Sequence, residues 1–238
     1  MFPYDSTILS TVRRTPQSVS DVLNMMQTID ATCIDTDGLK WFNWLYWQVT
    51  QAVKTRIDGA GFTDPTWLAQ LDVVFAEFYF NALRTALTGS PAPGCWQAMF
   101  SVREDTRITR IQFALAGMNA HINHDLCQAI VSTCRALNRP LQHGTAQYND
   151  YTSLNSTLDS MIQGAKQTLA ARLPGTSIPP ISQLQNVLAA FDICVAREHA
   201  WDTAEALSVL PDAATTTLLK SINGITAALG KSLLVPIA

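Results

Sequence analysis

Asp64-Pro-Thr-Trp67-Leu-Ala-Gln-Leu71-Asp72-Val-Val-Phe75-Ala-Glu-Phe-Tyr79-Phe-Asn-Ala-Leu83-Arg-Thr-Ala-Leu87-Thr-Gly89 reads as a helix with its start and stop written into it. Asp64 can accept from the free backbone N–H groups of the first turn. Pro65 sits at the first helical position, where its missing N–H is no loss, and Gly89 ends the run. At about 100° per residue, Leu68, Phe75, Ala76, Tyr79 and Leu83 fall on one arc. That spacing describes a helix that packs by one face. Asp72 lies at the centre of the arc, and a carboxylate there must be held by something, because an unpaired buried charge is strongly unfavourable.

The same pattern recurs along the chain. Ser20-Asp21 opens a segment to about Ala31. Asp37 can cap Gly38 to Ile57, which stops at Gly59-Ala-Gly61. Pro91-Ala-Pro-Gly94 makes a turn before a short helix from Cys95 to Val102, and a long helix follows from Thr106 to Asn138. Leu141 to Asn149 reads as a loop and Asp150 to Leu173 as a helix closed by Pro174-Gly175. Ile178-Pro-Pro-Ile181 reads as a linker before a helix to Leu210, and a last helix runs from Asp212 to Gly230. No sustained alternating run appears, so the expectation is all-α: a single-domain bundle of about eight helices, two of them long and central. Residues 1–17 are expected to form an irregular N-terminal arm.

The 238 residues are 47% apolar and 15% charged, enough for one sizeable core. The net charge is −3 and basic residues are scattered singly, which argues against nucleic acid or an anionic membrane as partner. The N-terminus does not read as a signal peptide, and no run is apolar enough for a membrane span. The five cysteines show no zinc-type spacing, so a reduced, cytoplasmic setting is expected.

Polar residues turn inward on other helices too. Arg197 sits amid Ala190, Ile193, Cys194, Ala200, Trp201 and Ala204. In Gly117-Met-Asn-Ala-His-Ile-Asn-His-Asp-Leu126, Asp125 lies at the edge of the apolar arc and His121 one turn earlier. Gly117 and Ala114 are small enough to leave room for a ligand beside them. His124 and His199 point away from these arcs. The helix from Asp37 carries Tyr46 and Thr50 inward with Phe42. A carboxylate beside an imidazole is the equipment of acid–base catalysis, and Arg197 would fork across Asp72 or Asp125. The catalytic candidates are therefore His121, Asp125, Asp72, Arg197 and Tyr46. Phe42, Thr50, Phe75, Tyr79, Gly117 and Trp201 would shape the substrate site.

No phosphate loop, dinucleotide fingerprint, nucleophile elbow or Cys-x-x-Cys occurs. No cofactor is favoured. A divalent metal would use His121 and Asp125, with His124, yet a third ligand is missing from any second motif, and the paired Glu-x-x-His of di-metal bundles is absent.

Asn119-Ala-His-Ile-Asn-His-Asp-Leu126 resembles a family of bacterial and fungal helical proteins, a domain of unknown function, whose hallmark looks like Asn-Ala-His-Ile-Asn-x-Asp-Leu. Phe42-x-x-x-Tyr46-x-x-x-Thr50, Leu71-Asp72-x-x-Phe75-Ala76-x-x-x-Tyr79 and Arg197-x-x-Ala200-Trp201-x-x-Ala204 are similar to the same family. The resemblance implies no general activity. It treats the position of His124 as variable, which weakens a His-x-x-His metal site and favours His121 with Asp125.

These residues point to a biosynthetic enzyme doing cofactor-free lyase, isomerase or cyclase chemistry on a largely apolar small molecule. There His121 would move the proton, Asp125 would orient it, and Arg197 or Tyr46 would stabilise developing negative charge. The alternatives are a metal-dependent hydrolase built on His121 and Asp125, and a non-enzymatic ligand-binding or scaffold protein whose polar network is structural.

Overall fold

Short acceptor side chains set where the helices begin. The computed structural model describes residues 2–161, 164 and 192–236, and among them the regular structure is helical throughout, with no strand. Helix α1 spans Asp5–Val12, α2 Val19–Thr32, α3 Gly38–Asp58, α4 Pro65–Leu87 and α5 Gly94–Phe100. Helix α6 spans Arg110–Ala120 and runs through a π-turn, His121–Asp125, into α7 at Leu126–Ala136. Then come α8 at Ala146–Thr152, α9 at Ile193–Val209 and α10 at Asp212–Leu233. Asp37 accepts from Leu39 N, Asp64 from Trp67 N, and Asp192 from Cys194 N and Val195 N, each satisfying donors that the first helical turn leaves free.

Helix α3 crosses α6 closely, and two glycines make the approach possible. A Cβ on Gly117 would run into the Phe42 ring, and one on Gly38 into the Phe113 ring. Helix α4 packs on α7, α9 on α7, and α10 on α5 and α6. One apolar cluster runs from Ile8 to Leu234 through all of these contacts. Side-chain amides tie the chain ends to it: Gln112 donates to the carbonyls of Leu233 (2.8 Å) and Val235 (2.7 Å), and Asn119 to that of Thr226 (2.9 Å). Arg103 is buried between Asp37 and Asp5, and so fastens α1 to the start of α3.

Four sequence expectations need correction. The N-terminal arm contains α1, whose Ile8 and Val12 are fully buried. The long helix starts at Arg110 rather than Thr106, because Thr109 and Gln112 form a capping box there. The stretch from Leu141 is a loop only as far as Thr145, which caps α8. The helix expected from Asp150 is broken after Thr152, and helix resumes over 155–161. The Pro174-Gly175 stop, the Ile178–Ile181 linker and the first part of the following helix lie outside the described residues.

Candidate active site

The π-turn carries the polar centre of the molecule. An i→i+5 turn takes one residue more than an α-turn, so side chains beyond it are set back by about 100°. Within this turn His121, His124 and Asp125 come together. Asp125 Oδ2 accepts from the Trp96 indole N–H at 2.9 Å and meets His121 Nδ1 at 3.0 Å; Oδ1 meets His124 Nδ1 at 2.7 Å. Burial alone would push the Asp125 carboxyl up, but the hydrogen bonds from His121 and His124 outweigh it and hold the group below its ordinary range. Asp125 is therefore an anion and an acceptor only.

That fixes the tautomer of His121. Burial pushes its pKa down against the pull of Asp125, so the ring is neutral near pH 7. Its Nδ1 carries the hydrogen that faces Asp125, and Nε2 is left with a lone pair. This Nε2 is buried and has no partner. Aromatic rings enclose it: Phe75 stacks on the imidazole with centroids 3.5 Å apart, and Tyr46 and Phe42 stand edge-on at 4.6 and 5.8 Å. Tyr79 and Trp96 complete the surround. The room foreseen beside Gly117 is filled by Phe42.

A cavity of about 50 Å³ lies on the far side of this aromatic wall, bounded by Tyr46, Phe75, Leu126, Tyr151, Asp72 and Arg197 among mostly aliphatic neighbours. Asp72 is 8% exposed, its Oδ2 has no hydrogen-bond partner, and burial pushes its carboxyl up to about 7. Burial, reinforced by the charges of Asp72 and Asp125, raises the Tyr46 phenol well above its ordinary value. Its hydroxyl is also unpartnered, as is that of Thr50 one turn along α3; the two are close enough to interact but fall short of hydrogen-bond geometry.

Arg197 does not fork across either aspartate. Its guanidinium donates to Asn155 Oδ1 at 2.8 Å and the Tyr151 carbonyl at 2.7 Å, and lies over the Tyr151 ring at 3.9 Å. Trp201 packs against Trp67, Tyr148 and Tyr151, away from His121 and the cavity wall. His124, expected to face away, is buried on Asp125 because of the π-turn. His199 is exposed. The sequence reading missed Trp96, although a buried indole N–H signals an acceptor nearby.

A second polar cluster lies at the surface. His143 meets Glu198 at 3.1 Å, Asp202 at 3.3 Å and Glu205 at 2.9 Å, and Tyr148 donates to Glu198. Its ligand-type atoms from His143, Glu198 and Asp202 lie within 4.8 Å of one another.

Fold and site together define an all-α protein with a buried His–Asp–Trp centre beside a small apolar cavity. The chain belongs to the Family of unknown function DUF5995, whose model matches residues 19–236. No curated protein and no solved structure matches it. Among the described residues, no helix is long and apolar enough to cross a membrane.

Proposed function

We propose that the protein is a small-molecule enzyme of the isomerase, lyase or cyclase type, working by acid–base chemistry on a largely apolar substrate, with Asp72 as the group that exchanges the proton. The observation that carries this reading is an unpartnered carboxylate on the wall of an apolar cavity, pushed by burial to about 7. A base whose pKa lies near the working pH is both available and strong enough to take a proton. Tyr46 shares the wall and, held as a neutral phenol, is a hydrogen-bond donor there. His121 and Asp125 stand behind Phe75 and Tyr46 as a second, neutral base with its orienting carboxylate. Five free cysteines, four of them buried, suit a reducing compartment such as the cytoplasm.

The test is a carboxyl titration by ¹³C NMR of aspartate-labelled protein, assigned with Asp72→Asn. A midpoint near 7 supports the reading, and a midpoint near the ordinary aspartate value removes it. The metal-dependent alternative has one observation in its favour: a histidine with a carboxylate on Nδ1 and a free Nε2 is the form that metal-binding histidines take. Elemental analysis separates the two, since a stoichiometric metal retained through purification and lost together with activity in chelator would favour the hydrolase.

A further inference from the structure

The chemical class of the ligand can be narrowed from what the cavity wall leaves unpaired; this step rests on the reading of Asp72 as the proton-exchanging group. Tyr46 and Thr50 are buried, neither hydroxyl is hydrogen-bonded, and they lie four residues apart on α3, on one face. A buried polar atom without a partner is rare and unfavourable. Asp72 Oδ2 is unpartnered as well, and Asp72 is close enough to act electrostatically on Tyr46. Of these groups Tyr46 and Asp72 line the cavity, one O–H donor and one proton acceptor, and Thr50 stands next to Tyr46 without lining it.

Size and charge restrict what could go there. The cavity of about 50 Å³ is several times the roughly 10–15 Å³ that one water needs, so it takes a few heavy atoms, a small compound or the reacting end of a larger one. Arg197, the cation on its wall, is committed to Asn155 and Tyr151 and is not arranged to receive an anionic headgroup. A short uncharged fragment with one acceptor oxygen matches both limits.

We propose that the cavity takes a compact carbonyl compound, its oxygen received by the Tyr46 hydroxyl and its α-carbon facing Asp72. The Asp72 carboxylate removes a proton from that carbon. The C–H electron pair becomes the C=C bond of an enolate, and the carbonyl π pair moves onto oxygen, where the Tyr46 hydroxyl stabilises it. Returning the proton to the same carbon exchanges its hydrogen; returning it elsewhere on a conjugated substrate moves the double bond. The sequence needs no oxidant or reductant.

The experiment uses the full chain in D₂O with acetone and, separately, butanone, following loss of the α-proton signals by ¹H NMR. Exchange over buffer is expected to rise about 100-fold or more, a typical gain from a positioned base. Asp72→Asn should abolish the gain. Tyr46→Phe should reduce it about 100-fold, the effect of losing one oxyanion donor, and Thr50→Val should reduce it less. Circular dichroism of each variant separates misfolding from lost chemistry, and the Asp72 titration is read in the Tyr46→Phe and Thr50→Val proteins. If Asp72 titrates near 7 while neither ketone exchanges faster than in buffer, the carbonyl class is wrong and the acid–base reading survives. If Tyr46→Phe exchanges like the parent, its hydroxyl does not receive the oxygen. An ordinary Asp72 midpoint overturns both readings.

Discussion

Replacing Asp72 by Asn tests whether the carboxylate serves the fold or is carried at its expense. Its folded pKa is about 7, and its unfolded value is 3.8. Below pH 3.8 both states hold the proton and Asp72 makes no pH-dependent contribution. Between 3.8 and 7 the unfolded chain releases the proton while the folded chain must keep it, so stability falls as pH rises. Above 7 both are ionised and the loss is complete. At 1.36 kcal/mol per pKa unit, the whole difference is about 4 kcal/mol. Among the described residues no cation acts on this group, and burial is the cause of its shift. Asn carries no charge at any pH. The stability gained by Asp72→Asn over the parent should therefore be smallest near pH 4, rise by about 1.4 kcal/mol per pH unit, and level off above pH 7. Urea denaturation of both proteins from pH 4 to 8.5 measures this, and contributions of other groups cancel in the difference. A pH-independent difference would refute the reasoning. A variant less stable than the parent at pH 8 would mean that the carboxylate is a structural partner, as a scaffold protein requires.

Three further outcomes are expected. Gly117→Ala places a methyl against the Phe42 ring where α3 meets α6, and should destabilise by about 1–3 kcal/mol in denaturant melts; unchanged stability would show that the two helices can part at no cost. Arg103→Met leaves the buried carboxylates of Asp5 and Asp37 without their shared cation and should cost about 3–5 kcal/mol, with amide exchange accelerated across Asp5–Val12; slow exchange there would mean that apolar packing alone holds the helix. In ¹⁵N NMR, His121 should show a protonated Nδ1 and an unprotonated Nε2 down to pH values below 6.5, whereas the opposite tautomer would remove the lone pair that the neutral-base assignment needs.

Much of the architecture was readable because its signals are local. Asp37, Asp64 and Pro65 mark helix starts through chemistry confined to one turn, and α3 and α4 begin where those residues say. The signals that failed were short or weak. Helix α1 has one turn fewer than periodicity needs to stand out, and it depends on a contact from Arg103, 98 positions away, for its anchoring at Asp5. Helix α8, Ala-Gln-Tyr-Asn-Asp-Tyr-Thr, is short and after its first two residues consists of weak helix formers, and α6 starts later than Thr106 because Thr109-x-x-Gln112 is a capping box.

The candidate site was legible only in part: His121, Asp125, Asp72 and Tyr46 are buried as their helix arcs indicate, while Trp96 and His124 join Asp125 without a signal in those arcs. Projecting Gly117–Leu126 at a constant α-helical angle turns His124 off the apolar arc, an angle that the π-turn over His121–Asp125 changes. With it, both histidines reach one carboxylate and Trp96 reaches it from α5. The gathering of His121 and Asp125 thereby excludes Asp72: Asp125 is saturated by neighbours, and Arg197 is turned to Asn155 and Tyr151. Asp72 is left on the cavity wall with one oxygen unpartnered. A fold that satisfies one buried carboxylate from three sides and leaves another with an unpartnered oxygen treats the two differently, and the unsatisfied one is where a ligand has something to add.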